Sequence, residues 1–233
     1  MSRSATASIL SFNGGYVDTM GFVALSGLFT AHVTGNFVTL GATLSEGTGG
    51  ALAKLLALPV FCLTVFLGHG FNYWLEGRKY PPVPVFLSLK FTLFVLAAAL
   101  ALSLPRESAG SGGELLLGMV LVVAMALQNG LHRTHLSDQP PTTLLTGTTT
   151  QIMLDLSDLV FGGEAKGKAV GARLFKLVRA LVLFAGGCAV AALLFRLSHR
   201  LCFLVPPITV ATAFLIHSFG GETDQSKNQK EKA

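Results

Sequence analysis

Apolar segments of bilayer length recur from one end of this chain to the other, and that repetition decides what it can fold into. Eight segments are read: Ile9–Phe29, Ala31–Leu44, Ala51–Trp74, Val83–Leu104, Glu114–Leu131, Thr143–Phe161, Ala172–Phe195 and Leu201–Phe219. A helix needs about 20 residues to cross a hydrocarbon core near 30 Å. In lipid every backbone N–H and C=O must be paired inside the protein, which leaves helical bundles and closed barrels. Continuous apolar runs of this length select helices. Between them, "SEGTGG", "EGRKYPPVP", "PRESAGSGG", "HRTHLSDQPP" and "GGEAKGK" are turn and loop chemistry. Charged residues make up 12% of the 233, against about 25% in a soluble domain. The expectation is an integral, multi-pass, all-α membrane protein without a separate soluble domain.

Two segments do not read as ordinary spans. The second, Ala31–Leu44, covers about 21 Å as a helix. The sixth, Thr143–Phe161, is long enough but polar, with Thr143, Thr146, Thr148, Thr149, Thr150, Gln151, Asp155 and Asp158. Both belong to a phrase written twice, "TAHVTGNFVTLG" from Thr30 and "TTLLTGTTTQIM" from Thr142.

Charge suggests how to thread them. If the second and sixth segments enter and leave on one side, six full spans remain. One side then holds Arg3, Arg78, Lys79, Arg133, Lys166, Lys168, Arg173, Lys227, Lys230 and Lys232, and the other Lys54, Arg106, Arg196 and Arg200. Lys90, Lys176 and Arg179 fall within spans, near their cytoplasmic ends. The positive-inside rule makes the richer side cytoplasmic, with both termini there, in what is expected to be the plasma membrane.

The same threading accounts for the duplication. A shift of 112 residues puts Thr30, Thr34 and Gly35 on Thr142, Thr146 and Gly147, and one residue less puts Asp18 on Asn129. "VFLGHGF" matches "LFAGGCA", with Gly68 on Gly186, and prolines precede the last span of each half. The units are therefore 1–110, a three-span repeat with a re-entrant segment near 31–44, and 111–219, a second with its own near 143–161. A polar tail, 220–233, is expected to be disordered. Three crossings is an odd number, so the second half must lie upside-down against the first. Inverted repeats with broken helices are a construction of secondary transporters.

"GGYVDTMGFVALSGLFTAHVTGNFVTLG" and "ALQNGLHRTHLSDQPPTTLLTGTTTQ" resemble the YoaK-like family of bacterial-type membrane proteins. In the second half Gly147 is followed by Thr148–Thr150, a looser version of the motif. The resemblance covers nearly the whole chain. It implies about six transmembrane helices and a domain of unknown function, and it brings no substrate.

Candidate site residues follow from the cost of polarity in lipid. Asp18 falls mid-span, where a charged carboxyl costs on the order of 2.5–3.5 kcal/mol and faces a bundle interior or a cavity. It reads either as a proton or cation site or as a brace for the re-entrant segment. Gln128 and Asn129 occupy the equivalent place as ligands or interhelical struts. His32, Thr34, Gly35 and Asn36 are expected to meet Thr146, Gly147 and Thr148 at the centre, where hydroxyls satisfy freed backbone groups or bind a solute. His69 lies between Gly68 and Gly70, which suit close helix packing; its alternative reading is a member of a proton relay. Asp155 and Asp158 are read as solvated, paired with Lys166 or Lys168, or lining a cation vestibule. Arg173, Lys176 and Arg179 are read as a snorkelling stripe.

Other function classes find little here. Cys62, Cys188 and Cys202 lie in or beside apolar runs without metal or redox spacing and are read as buried small hydrophobes. There is no HExxH, GxSxG, P-loop or CxxCH, so no enzyme, cofactor or metal is expected, and no nucleic acid, since a basic folded face is not visible. The partners expected are the bilayer and an unidentified small solute or ion; a homo-oligomer is compatible with the reading. The function expected is a secondary transporter or permease, possible proton coupling running through Asp18. The alternatives are a channel-like facilitator and a non-transporting scaffold or sensor.

Overall fold

The structure is a computed structural model that describes residues 2–47, 49–104, 111–143, 145–161 and 167–230, with side chains described to 161 and from 170 to 219. Among these residues there are helices and no strands. In order they are α1 (Ser2–Ala24), α2 (Gly35–Glu46), α3 (Ala51–Gly77), α4 (Pro82–Ser103), α5 (Gly112–His135), α6 (Thr146–Phe161), α7 (Gly167–Leu197) and α8 (Val205–Lys230), with a short 3₁₀ turn, Leu201–Leu204, before α8.

Five helices are long and apolar enough to cross a membrane: α3, α4, α5, α7 from Val170, and Leu201–Phe219. The six expected spans include α1, which fails on hydropathy. Thr6, Ser11, Asn13 and Asp18 lower its apolar content, and all four are buried. The reason is its position. It packs on α7 and α8 and touches α5, so protein rather than lipid surrounds much of it. By contrast α3 buries few residues and presents Leu63, Phe66 and Leu67 outward, as a lipid-facing helix must.

The packing exchanges partners between the halves. α1 lies on α7 and α8, and α5 lies on α3 and α4; α2 packs on α3, α6 on α7, and α4 meets α8. The closest approach is at α1 and α7. A Cβ on Gly187 would lie 2.1 Å from the Phe12 carbonyl oxygen, and one on Gly15 would lie 2.1 Å from that of Phe184. Glycine is required there because the two backbones touch.

Element boundaries differ from the apolar pattern at several places. α1 begins at Ser2 and ends at Ala24, so its first turns are polar and the run Leu25–Phe29 is not helical. The chain leaves the helix through two left-handed residues, Ser26 at φ +51° and Gly27 at φ +80°. α8 runs on to Lys230, past Phe219 where the apolar pattern stops. Cys62 is exposed and Cys188 half-buried; only Cys202 is the buried thiol expected of all three. Arg106, Lys166 and Lys232 lie outside the described residues.

Candidate functional site

The two repeated phrases mark where helices restart, not where they break. Non-helical backbone occupies 25–34 and, among the described residues, 136–143 and 145, and Thr34-Gly35 and Thr146-Gly147 stand at the beginnings of α2 and α6. Thr34, Thr146 and Gly147 are exposed and Gly35 is half-buried against the Phe29 ring. Thr148 is buried, and its hydroxyl has no hydrogen-bond partner among the described residues. Because α2 packs on α3 and α6 on α7, the Thr-Gly pairs belong to different helix pairs, and no hydrogen bond among the described residues joins them. What the fold brings together is the polar residues just upstream.

Asp18 holds the first interruption. Its Oδ1 accepts the backbone N–H of Thr30 at 2.8 Å and of Ala31 at 2.7 Å, and its Oδ2 pairs with His32 Nδ1. Consecutive N–H groups that a helix would have paired internally are turned onto one carboxylate. Asp18 is buried, whereas the His32 side chain is 31% exposed. The imidazole sits edge-on to Phe29 and to Phe184 of α7. Asn36 folds back on the same stretch: Phe29 N–H donates to its Oδ1 and its Nδ2 donates to the Phe29 carbonyl, both at 2.8 Å. Asp18, His32 and Asn36 thus converge on one broken segment. Gly35 joins it through its backbone N–H, which donates to the His32 carbonyl at 2.8 Å, and among the described residues no side-chain hydrogen bond brings Thr34 to them.

The second interruption is held from α5. Gln128 Nε2 donates to Thr142 Oγ1 at 2.9 Å, and Thr143 Oγ1 donates to Asn129 Oδ1 at 2.7 Å. The two interruptions also dock on a shared surface. Thr142 lies against Gly14, where a Cβ would sit 2.2 Å from its carbonyl oxygen. Gly14 and Asp18 are four residues apart on α1, hence on adjacent turns of one face.

Below this face lies a cation that the sequence reading misplaced. Lys90 is buried at 1% exposure, not reaching toward an end of its span. Its ammonium donates to Asn13 Oδ1 at 2.6 Å and to Gln128 Oε1, and lies 4.9 Å from the Phe94 ring centre. Gln128 Nε2 also donates to the Leu10 carbonyl at 3.0 Å, and Asn13 Nδ2 to Thr209 Oγ1 at 2.7 Å. No carboxylate lies within ion-pair distance of Lys90 among the described residues. One lysine thereby links α4 to α1 and α5 and, through Asn13, to α8. A lysine inside the run "PVFLSLKFTLFVL" was the available signal, since intramembrane charges face inward unless they can reach an interface.

Other candidates also find partners. Asp155 is fully buried on α6 and is gripped by Arg173, whose Nε donates at 2.8 Å, and by Gln151 Nε2 at 2.7 Å. The side chains of the two lysines expected as partners, Lys166 and Lys168, lie outside the described residues; the partner described is Arg173. Arg179 NH2 donates to Ser4 Oγ at 2.5 Å, so Arg173 and Arg179 make protein contacts in place of a free stripe. Among the described residues no group of three or more His, Cys, Asp or Glu is placed to hold a metal ion. A cleft of about 410 Å³ lies between α3 and α5 and includes His69, Asn72 and Asn129.

The model of the family described as "Protein of unknown function (DUF1275)" matches residues 6–216. The chain belongs to this family. The matched region runs from Thr6 in α1 to Ile216 in the first half of α8. The chain is also 25% identical over 196 residues to the UPF0700 transmembrane protein YoaK of Bacillus subtilis (strain 168), covering 82% of this chain and 83% of that relative. No solved structure matches it. This DUF1275 chain is an integral membrane protein, on the relative's description and its own five apolar helices.

Proposed function

We propose that this protein is a secondary permease for a small solute, built from two inverted three-span halves and coupled to protons through Asp18 and His32. The observation that carries the reading is the exchange of partners around α1 and α5. Swapping the halves turns α1 on α7 and α8 into α5 on α3 and α4, and α2 on α3 into α6 on α7. Single contacts follow the same rule. Ser26 Oγ pairs with Glu114 Oε1 at 2.9 Å, and Asp138 pairs with Arg3 at 2.7 Å; Asp138 is 112 residues beyond Ser26, and Glu114 111 beyond Arg3.

The sixth crossing in this reading is α1, whose 23 residues span about 34 Å. Its sheath of α5, α7 and α8 removes the need for an apolar surface. α2 and α6, at about 18 and 24 Å, are the re-entrant elements. Arg3, Arg133 and Arg179 gather at one end, tied by Arg3 to the His135 carbonyl and by Arg179 to Ser4, and the positive-inside rule makes that end cytoplasmic.

Coupling follows from what Asp18 holds. Protonation of its carboxyl weakens the acceptor for Thr30 and Ala31 N–H and frees His32, so the broken segment changes its hold on α1. The part-exposed imidazole supplies the path for the proton. Proteoliposome flux of candidate solutes, with and without an imposed proton gradient, tests this. Saturable, gradient-driven uptake that Asp18→Asn abolishes supports it; non-saturating flux indifferent to the gradient favours a pore instead.

One observation favours a second reading. Asp18, Asn36, Gln128 and Asn129 all spend their polar atoms inside the protein, as braces of a non-transporting scaffold would. If Asp18→Asn lowers thermal stability and no flux is found for any solute, the scaffold reading stands.

A further inference from the structure

The cleft between α3 and α5 plays no part in the coupling above. Its walls are apolar, from Phe61 and Val65 on α3 to Phe86 on α4 and Leu131 on α5, while one end carries Arg133 and Thr134. Three features give it a direction. First, Asn72 on α3 and His135 on α5 are joined, Nε2 to Oδ1, at 2.6 Å, so the end of α5 is level with Asn72, in the last turns of α3. Second, the next residues on α3 present exposed Tyr73 and Trp74, with Tyr80 beyond and Arg78 over the Trp74 ring. Tyr and Trp gather at the headgroup level, which places Arg133, two residues before His135, at the membrane surface. Third, Phe61 to Asn72 is about 16 Å of helix, close to half of a 30 Å hydrocarbon core. The cleft is one leaflet deep.

Its existence has a local cause. With Gly68 on Gly186, His69 stands where α7 has Gly187, and Ala126 stands 111 residues beyond Gly15. The crossing that two glycines close at α1 and α7 is held apart at α3 and α5 by side chains. Gly130, on the cleft wall, has nothing within 4 Å of where a Cβ would be.

Charge selects the occupant. Arg133 is exposed and has no carboxylate within ion-pair distance among the described residues. The neighbouring Glu76 is engaged by the Asn72 amide at 2.8 Å. The outer face of α3 beside the cleft is apolar, with Leu63, Phe66 and Leu67 exposed, so the opening is continuous with a lipid-facing surface. We propose that the cleft seats one acyl chain of an anionic phospholipid, with its phosphate on Arg133. The inference holds whether or not the protein transports.

The test is native mass spectrometry of the purified full chain released from nanodiscs of equal phosphatidylglycerol and phosphatidylcholine. Wild type is expected to retain phosphatidylglycerol preferentially. Arg133→Gln should lower that preference about fivefold, the factor for ~1 kcal/mol per basic residue at an anionic surface. Gly130→Leu, which fills the cleft, should reduce retention of both lipids with an unchanged elution profile. If Gly130→Leu does not fold, Val65→Phe fills the cleft from the opposite wall. Retention that survives cleft filling, or displacement of the lipid by inorganic phosphate, overturns the proposal: the first leaves only surface charge, and the second leaves a free-anion site.

Discussion

The Lys90 ammonium on α4 donates to Asn13 Oδ1 on α1 at 2.6 Å, with no counter-charge beside it among the described residues. Neutral amide oxygens of Asn13 and Gln128 replace the hydration of a buried cation. That arrangement is costly to disturb from either side. Lys90→Met leaves two buried acceptors short of a donor and is expected to destabilise by about 1–3 kcal/mol. Asn13→Leu leaves the ammonium with fewer acceptors and should cost at least as much. In the double variant the two losses should add to less than their sum, because the residues act as one unit. Thermal unfolding in detergent reads this, and strict additivity would show that the pair is not coupled.

Asp18→Leu and Asp18→Asn separate bracing from proton chemistry. Leucine leaves the Thr30 and Ala31 N–H groups unpaired and is expected to cost about 1–3 kcal/mol. Asparagine keeps an acceptor oxygen for them but cannot titrate. It should retain more stability while losing gradient-driven flux. Equal loss of both properties in the two variants would contradict the coupling role.

The α1–α7 contact makes a sharp contrast within one dipeptide. A Cβ at Gly187 meets the Phe12 carbonyl oxygen at 2.1 Å, while one at Gly186 meets nothing within 4 Å. Gly187→Ala should destabilise by about 1–3 kcal/mol through backbone displacement, and Gly186→Ala should be near neutral or slightly stabilising. Equal melting temperatures for the two variants would refute the close approach.

Asp138 gives the acid response. Burial pushes its carboxyl up, but the Gln139 hydrogen bond and the charges of Arg3 and Lys176 hold it below the usual range. A carboxyl lowered in the folded state contributes stability that is present above its unfolded value and is lost as pH falls through the folded one. The stability difference between wild type and Arg3→Gln should therefore be present at neutral pH and shrink on acidification below about 4. A difference that grows in acid would reverse the assignment. The pair is half exposed, so the effect should also weaken with added salt.

Much of the architecture was legible in the chain because lipid enforces local rules. Runs such as "FTLFVLAAALALS" can only be helices there, and helices appear at each of the eight apolar segments, with shifted ends. The interruption near residue 30 was readable for the same reason, and so was Asp18, which no lipid-facing surface tolerates. Less legible was the level of the break. Thr34-Gly35 and Thr146-Gly147 looked like its centre, yet the helix resumes at them, because the side chains that hold the loose segments, Asp18 on the Thr30 and Ala31 N–H groups and Gln128 on the Thr142 hydroxyl, sit upstream on other helices.

Lys90 is the clearest case of what local pattern leaves open. A lysine has a long, flexible side chain, and one inside a span can reach an interface or turn inward. Which it does depends on whether Asn13 and Gln128, 77 and 38 residues away in sequence, arrive beside it. The amino-acid order by itself determined that the chain would be helical, membrane-embedded and twice interrupted, since backbone pairing in lipid is a local requirement. Only the tertiary structure decided which polar groups satisfy those interruptions, because their partners come from distant helices whose neighbours are chosen by packing.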